Sequence, residues 1–465
     1  MFYPDTSSIA AIATPAGSGA IAVIRLSGAD AFEIASRVFQ PAGLEKNVCD
    51  YHTHTIHFGS IIDGKKHLDD VLLHIFRAPH SYTGENVAEI SCHGSVYIQQ
   101  QILQLLVKQG ARLAQPGEFT LRAFLNRKMD LSRAEAVADL IASRSEAQHR
   151  IALQQMRGGV SGEIRFLREE LIRFASLIEL ELDFSEEDVE FAGRKELLTL
   201  IETIREKISR LTESFETGNA IKNGIPVVIA GRTNVGKSTL LNVLLNEDRA
   251  IVSEIPGTTR DIIEDEIIMG GMVFRFIDTA GIRSATDAIE AEGVRRTLEK
   301  IKTSSVILYV FDVTEMKAEY LKTTIEDFRK LTSGNKSHLI PVGNKMDKSN
   351  LAETKKEFSS LGNILFISAL KKLNIDLLRN KILEVSSAEA GFSGDIIISN
   401  ARHWDAIVKA DEALKRVEEG LTKNLTGELI AADLRMALNH LAAVTGEVSP
   451  EDLLENIFSR FCIGK

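Results

Sequence analysis

Eight residues, Gly231-Arg-Thr-Asn-Val-Gly-Lys-Ser238, follow the apolar run Ile225 to Ala230 and precede the helical stretch Thr239 to Leu245. That spacing suits a phosphate cradle. A buried strand delivers the chain, Gly231 and Gly236 let backbone N–H groups face an anion, and the helix N-terminus at Lys237, Ser238 and Thr239 favours it further, with Asn234 and Val235 completing the loop. Further along, Asn344-Lys345-Met-Asp347 follows the strand-like run Leu339 to Val342 and an expected turn at Gly343. A carboxylate there accepts from guanine N1–H and the exocyclic amine together, whereas adenine presents no such pair of donors. The two motifs therefore specify GTP. Between them, Asp278-Thr-Ala-Gly281 follows the strand-like Val273 to Ile277, placing Asp278 to reach magnesium through water and the Gly281 N–H to sense the γ-phosphate. Ser368-Ala369, after Ile364 to Ile367, closes the loop around the base.

The hydrolytic step is less fully specified. Ser253-Glu-Ile-Pro-Gly-Thr-Thr-Arg-Asp261 stands where a first switch loop belongs, and a threonine hydroxyl there completes magnesium coordination beside Ser238; Thr259 is taken as that ligand over a plain Thr-rich turn. After Gly281, Ras-like enzymes carry a water-orienting glutamine, but here Ile282 and Arg283 follow. An aliphatic side chain cannot orient water, so a polar group must come from elsewhere. Glu290 is the candidate; on spacing alone it reads equally well as a solvated acid opening a helix over 292–301. His52 and His54 alternate on an expected strand with His57 on its other face, which argues against a metal site. The acidic stretch Glu179 to Glu190 reads as a solvated helix end, Trp404 as core, and the Phe461-Cys-Ile-Gly-Lys465 ending as a tail that docks, because no polybasic segment precedes Cys462.

These residues need a multidomain scaffold. The 465 residues, 44% hydrophobic, can build two to four cores. There is no apolar run of membrane-spanning length and no signal-like start, and Cys49, Cys92 and Cys462 are too few for a disulfide framework, which suits a cytoplasmic protein. A net charge of −10 argues against strong non-specific nucleic-acid binding. Residues 1–125 alternate β-rich runs (Ala20 to Arg25, Asp70 to Ile75) with helical ones (Ser95 to Gln109), an α/β pattern; 126–217 are helical in period; 218–387 form the inserted P-loop α/β unit; and helices resume over 388–465, after a linker at Gly391 to Gly394.

With these residues laid out, the chain resembles the MnmE (TrmE) family, bacterial GTPases that modify the wobble uridine of certain tRNAs. The resemblance runs end to end: Asp5 to Ala10, Ala13 to Gly28, Tyr82-Thr-Gly-Glu85, His93-Gly94, Gln115 to Thr120, Arg122 to Asn126, the interrupted helical domain and the Phe-Cys-Ile-Gly-Lys ending. It implies a folate-binding N-terminal domain that also makes a homodimer, a discontinuous helical domain, and an inserted Ras-like GTPase domain activated by potassium-dependent dimerisation. It implies 5-formyl- or 5,10-methylene-tetrahydrofolate contacts at Arg25, Glu89, Lys128 and Lys465. Potassium ligands fall on Asn234, Ser253, Ile255 and Thr258, magnesium ligands on Ser238 and Thr259, and the water-positioning carboxylate on Glu290. It further implies a role for Cys462 in the modification, and an FAD- and NADH-using MnmG-type partner with which an aminomethyl or carboxymethylaminomethyl group is placed on uridine. The competing class is a GTP-dependent ribosome-assembly or RNA-binding switch, which carries a recognisable, often basic, RNA-binding module.

Overall fold

The computed structural model describes residues 7–43, 47–183, 194–247, 264–278, 301, 304–332, 337–389, 396–423, 425–448, 451–459 and 461–464. The chain folds as two compact units: Met1–Ala138 with Gln155–Ile204 and Lys409–Lys465, and Asp139–Gln154 with Arg205–Val408.

In the first unit, strands β1 (Ile9–Ile12), β2 (Ile21–Ser27), β3 (Phe39–Pro41), β4 (Thr55–Asp63), β5 (Lys66–Phe76), β6 (Val87–His93) and β7 (Arg112–Leu113) form one sheet in the order β3-β4-β5-β6-β2-β1-β7. Every neighbouring pair is antiparallel except β1 with β7. Alternation explains the layer. In β5, Val71, Leu73 and Ile75 are buried while Asp70 and Leu72 are exposed, because successive side chains leave opposite faces of a strand. The buried face packs on helices Ala31–Val38 and Val96–Lys108 through Phe32, Ile34, Ile102 and Leu106. The helical part follows a different period. Helix Gly159–Asp183 buries Ile164, Leu167, Leu171, Phe174 and Ile178, spaced by three and four, against helix Gly427–Thr445.

The second unit is built on a six-stranded sheet, β13-β12-β11-β8-β10-β9, from β8 (Ile225–Ala230), β9 (Glu264–Met269), β10 (Met272–Asp278), β11 (Val306–Asp312), β12 (His338–Asn344) and β13 (Leu365–Phe366). Only β9 runs antiparallel. Both faces are covered, so the central strands read as continuous apolar runs; all seven residues of β11 are buried. Ala147 and Ile151, from helix Glu146–Met156, belong to this core.

Several expectations are corrected. His52 and His54 do not lie on a strand: residues 53–54 form a turn, His54 takes φ 61°, and β4 begins at Thr55. Local side-chain bonds favour that turn, since the Thr53 hydroxyl bonds the His54 ring and accepts from the Arg77 N–H. His57 stacks on Tyr51, with ring centroids 3.5 Å apart. Among the described residues no group of His, Cys, Asp or Glu is arranged to hold a metal. Strand β12 runs on through Gly343 to Asn344, so the turn starts at Lys345, left-handed at φ 65°. Trp404 is not core: it is 36% exposed and stacks on Phe215. No helix among the described residues is long and apolar enough to cross a membrane.

Candidate functional site

The loop between β8 and helix Lys237–Glu247 has the backbone its glycines permit. Gly231 takes φ 147°, and a Cβ there would lie 2.1 Å from the Val310 carbonyl oxygen; Gly236 takes φ 98°, with a Cβ 2.3 Å from the Asn344 amide nitrogen. No side chain fits at either position. Asn234 is also left-handed, at φ 62°, and exposed, while Val235 anchors the loop in the core. The Lys237 ammonium donates to the carbonyls of Gly231 and Arg232, at 2.7 Å each. Ser238 and Thr239 occupy the first turn of the helix. This shape can turn main-chain N–H groups, a cation and a hydroxyl toward one polyphosphate.

Asn344 ties this loop to the one expected around the base. Its side-chain amide donates to the Val235 carbonyl at 2.8 Å, and its oxygen accepts from the Ala369 N–H at 2.9 Å, both bonds buried. Ser368 is buried beside Ala369, and its hydroxyl holds the Asp347 carboxyl below its ordinary pKa, keeping an exposed, ionised acceptor where guanine donors are expected. Lys345 is held by a residue that motif reading passed over. Asp312, at the end of β11, pairs with the Lys345 ammonium at 2.6 Å and accepts from the Thr314 N–H and hydroxyl. Burial pushes the Asp312 carboxyl up, but these donors outweigh it and hold the pKa low. An aspartate closing an otherwise apolar strand was the available signal. The backbone of Asp278 ends β10, beside Ile229 of β8. Its side chain, together with Ser253, Ile255, Thr258, Thr259, Gly281 and Glu290, lies outside the described residues, as do the Gly391 to Gly394 linker and most of the acidic stretch.

A second polar cradle lies on the N-terminal sheet. Arg25 and Glu89 face each other across β2 and β6, with Nε to carboxylate at 2.7 Å and each side chain about one-fifth exposed (20% and 22%). The Arg25 guanidinium lies 5.4 Å from the Tyr82 ring centroid and 5.6 Å from that of Phe119, and donates to the Gly464 carbonyl at 3.4 Å. The ending therefore docks. Phe461 is buried, and Gly464 fits so closely over Ile12 that a Cβ would lie 2.4 Å from its carbonyl oxygen. Cys462 is an exposed free thiol whose carbonyl accepts from the Gly117 N–H. Lys128 reaches neither Arg25 nor Glu89; it donates to the Pro79 carbonyl on the loop that carries Tyr82. Lys465 lies outside the described residues. Tyr82 and Phe119 belong to this cradle although sequence reading gave them no role there; only their motif positions signalled them.

Residues 131–462 match the family model of the MnmE helical domain, and residues 8–128 that of the GTP-binding protein TrmE N-terminus. The chain is 54% identical over 465 residues to the tRNA modification GTPase MnmE of Flavobacterium psychrophilum, covering 100% of both chains. It is 52% identical over 460 residues to that of Cytophaga hutchinsonii, covering 99% of this chain and 98% of the other. Among solved structures, a probable GTP-binding protein engB is 26% identical, covering 35% of this chain and 99% of that one at a TM-score of 0.26. Matched by the family model over most of its length, and more than half identical to such relatives from end to end, this chain belongs to the MnmE family of tRNA modification GTPases.

Proposed function

We propose that this GTP hydrolase of tRNA modification works in the cytoplasm as a potassium-activated homodimer. With an FAD-dependent MnmG-type subunit, it would install an aminomethyl or carboxymethylaminomethyl group on the wobble uridine, drawing one carbon from a tetrahydrofolate. The observation that carries this reading is the docking of the chain ending onto Arg25, the cation of a cross-strand pair with Glu89. A carboxylate, a guanidinium and two aromatic rings fit a flat pterin that offers paired donors, and the guanidinium suits a carboxylate tail. When bound, the folate supplies the one-carbon unit. Glu89 and Arg25 orient it, and the rings of Tyr82 and Phe119 keep water from its flank. Lys128 and Lys465 are proposed to complete that site and Cys462 to act in the modification.

At the nucleotide, Lys237 counters phosphate charge, Asn344 holds the phosphate loop and the base loop in register, and Asp347 selects guanine. Gly231, Val235, Gly236, Thr239, Asp278, Gly281, Lys345, Ser368 and Ala369 are proposed to line the site. Ser238 and Thr259 would hold magnesium; Asn234, Ser253, Ile255 and Thr258 would hold potassium. The exposed Asn234 and the first-turn Ser238 hydroxyl are described donors that fit these hard cations. Glu290 would position the attacking water.

Nucleoside analysis of tRNA from a strain lacking the gene tests the proposal. Loss of the modified wobble uridine, restored by the wild-type gene and not by a Glu89→Ala copy, is expected. Intact wobble nucleosides alongside altered ribosomal subunits would favour the assembly-switch class instead.

A further inference from the structure

Arg232, second in the phosphate loop, stands where neither guanine nor magnesium chemistry asks for an arginine. Its guanidinium lies over the Tyr320 ring, 4.5 Å from the centroid. Tyr320 is half exposed (51%), yet its backbone is fixed: helix Ala318–Leu331 buries Leu321 and Ile325 on the sheet, and its Phe328 packs on Tyr309 at 5.3 Å between centroids. The Arg232 carbonyl, for its part, is one of the two acceptors that hold the Lys237 ammonium.

The loop is thus gripped at two points. Asn344 holds its far end at Val235. Between the grips, Thr233 and Asn234 are exposed, and Gly231 gives the backbone before Arg232 unusual rotational freedom. We propose that Tyr320 is a positioning residue for Lys237: by keeping the Arg232 side chain on its helix, it fixes the Arg232 carbonyl that aims the lysine ammonium at the triphosphate. Untethered, the guanidinium would be drawn to the phosphates themselves, turning its peptide and taking that acceptor away from Lys237.

The test measures KM and kcat for GTP and the GDP dissociation rate in the full chain. Wild type is compared with Tyr320→Leu, Tyr320→Phe, Arg232→Gln and the Arg232→Gln/Tyr320→Leu double variant. Tyr320→Leu and Arg232→Gln should each raise KM and the GDP dissociation rate by roughly two- to fivefold, the scale of an exposed cation–π contact, with a smaller change in kcat. Tyr320→Phe keeps the ring and should regain most of the lost affinity. The double variant should be no worse than either single one, because both break the same tether. The thermal midpoint without nucleotide should stay in place, which a purely structural role would shift. An unchanged or lowered KM in Tyr320→Leu, or losses that add in the double variant, would overturn the proposal.

Discussion

The nucleotide loop and the N-terminal cradle do opposite things with the same polar chemistry. Around Gly231 to Ser238 the shape is made by main chain: two glycines that tolerate no Cβ, a left-handed Asn234, and carbonyls that hold Lys237. Around Arg25 the shape is made by charged side chains from distant parts of the chain. Behind the cradle, Arg122 is buried between Glu85 and Glu118, and Glu118 accepts from Arg112, from Arg122 and from the Gln115 N–H. A main-chain site is compact in sequence and yields to motif reading; a side-chain site is scattered, and the charged network behind it also carries the stability of the domain.

If that contrast is right, the largest effect on folding should come from the N-terminal network. Glu118→Ala removes one of the two carboxylates around the buried Arg122 guanidinium, which keeps Glu85 and the Ser7 carbonyl, and should cost about 1–3 kcal/mol in chemical denaturation. Its pH dependence follows from the carboxyl. Burial pushes the Glu118 pKa up, but the bonds from Arg112, Gln115 and Arg122 prevail and hold it below the ordinary 4.5. A depressed acid stabilises fully above its unfolded pKa and loses that contribution as pH falls through the folded value. The gap between wild type and Glu118→Ala should therefore be constant at neutral pH and narrow only below about pH 4.5. A gap independent of acid would remove the network from the comparison.

In the nucleotide unit the same kind of change should strike function first. Glu290→Ala should lower kcat by roughly 10²-fold while leaving GTP affinity alone, since water positioning is its proposed task; a matching loss of affinity would reassign it. Asn344→Ala leaves the Val235 carbonyl and the Ala369 N–H without their buried partner, and nucleotide affinity should drop roughly tenfold or more, at about 1–3 kcal/mol per stranded group. Smallest is Glu89→Ala, which should weaken 5-formyl-tetrahydrofolate roughly tenfold in calorimetric titration and barely move the melting temperature, because its pair with Arg25 keeps water access. Equal folate affinity would show that the cradle recognises something else.

The sequence made the nucleotide unit legible almost residue by residue. The strand read at Ile225 to Ala230 is β8 to the residue, and the helix read from Thr239 starts two residues earlier, at Lys237. Apolar period names an element and its buried face, but not what covers that face. Helix Glu146–Met156 carries a helical period, yet nothing in its spacing says that Ala147 and Ile151 enter the core of a unit whose strands begin at Ile225. Arg25 and Gly464 are 439 residues apart, and no motif spans such a separation; only the resemblance of the whole chain pointed to the first, and the fold supplied the contact. Thr53 and His54 failed for the reverse reason, a local turn chemistry that alternation ignores.

The proposed nucleotide site lacks a water-orienting glutamine after Gly281 and would take a monovalent cation beside Asn234 instead. GTP turnover compared in potassium, rubidium and sodium chloride at equal ionic strength tests this directly. Potassium and rubidium should accelerate hydrolysis strongly, by an amount on the order of that from an arginine finger, 10³-fold or more, while sodium should not, and Asn234→Ala should lose the response. Equal rates in sodium and potassium would contradict it.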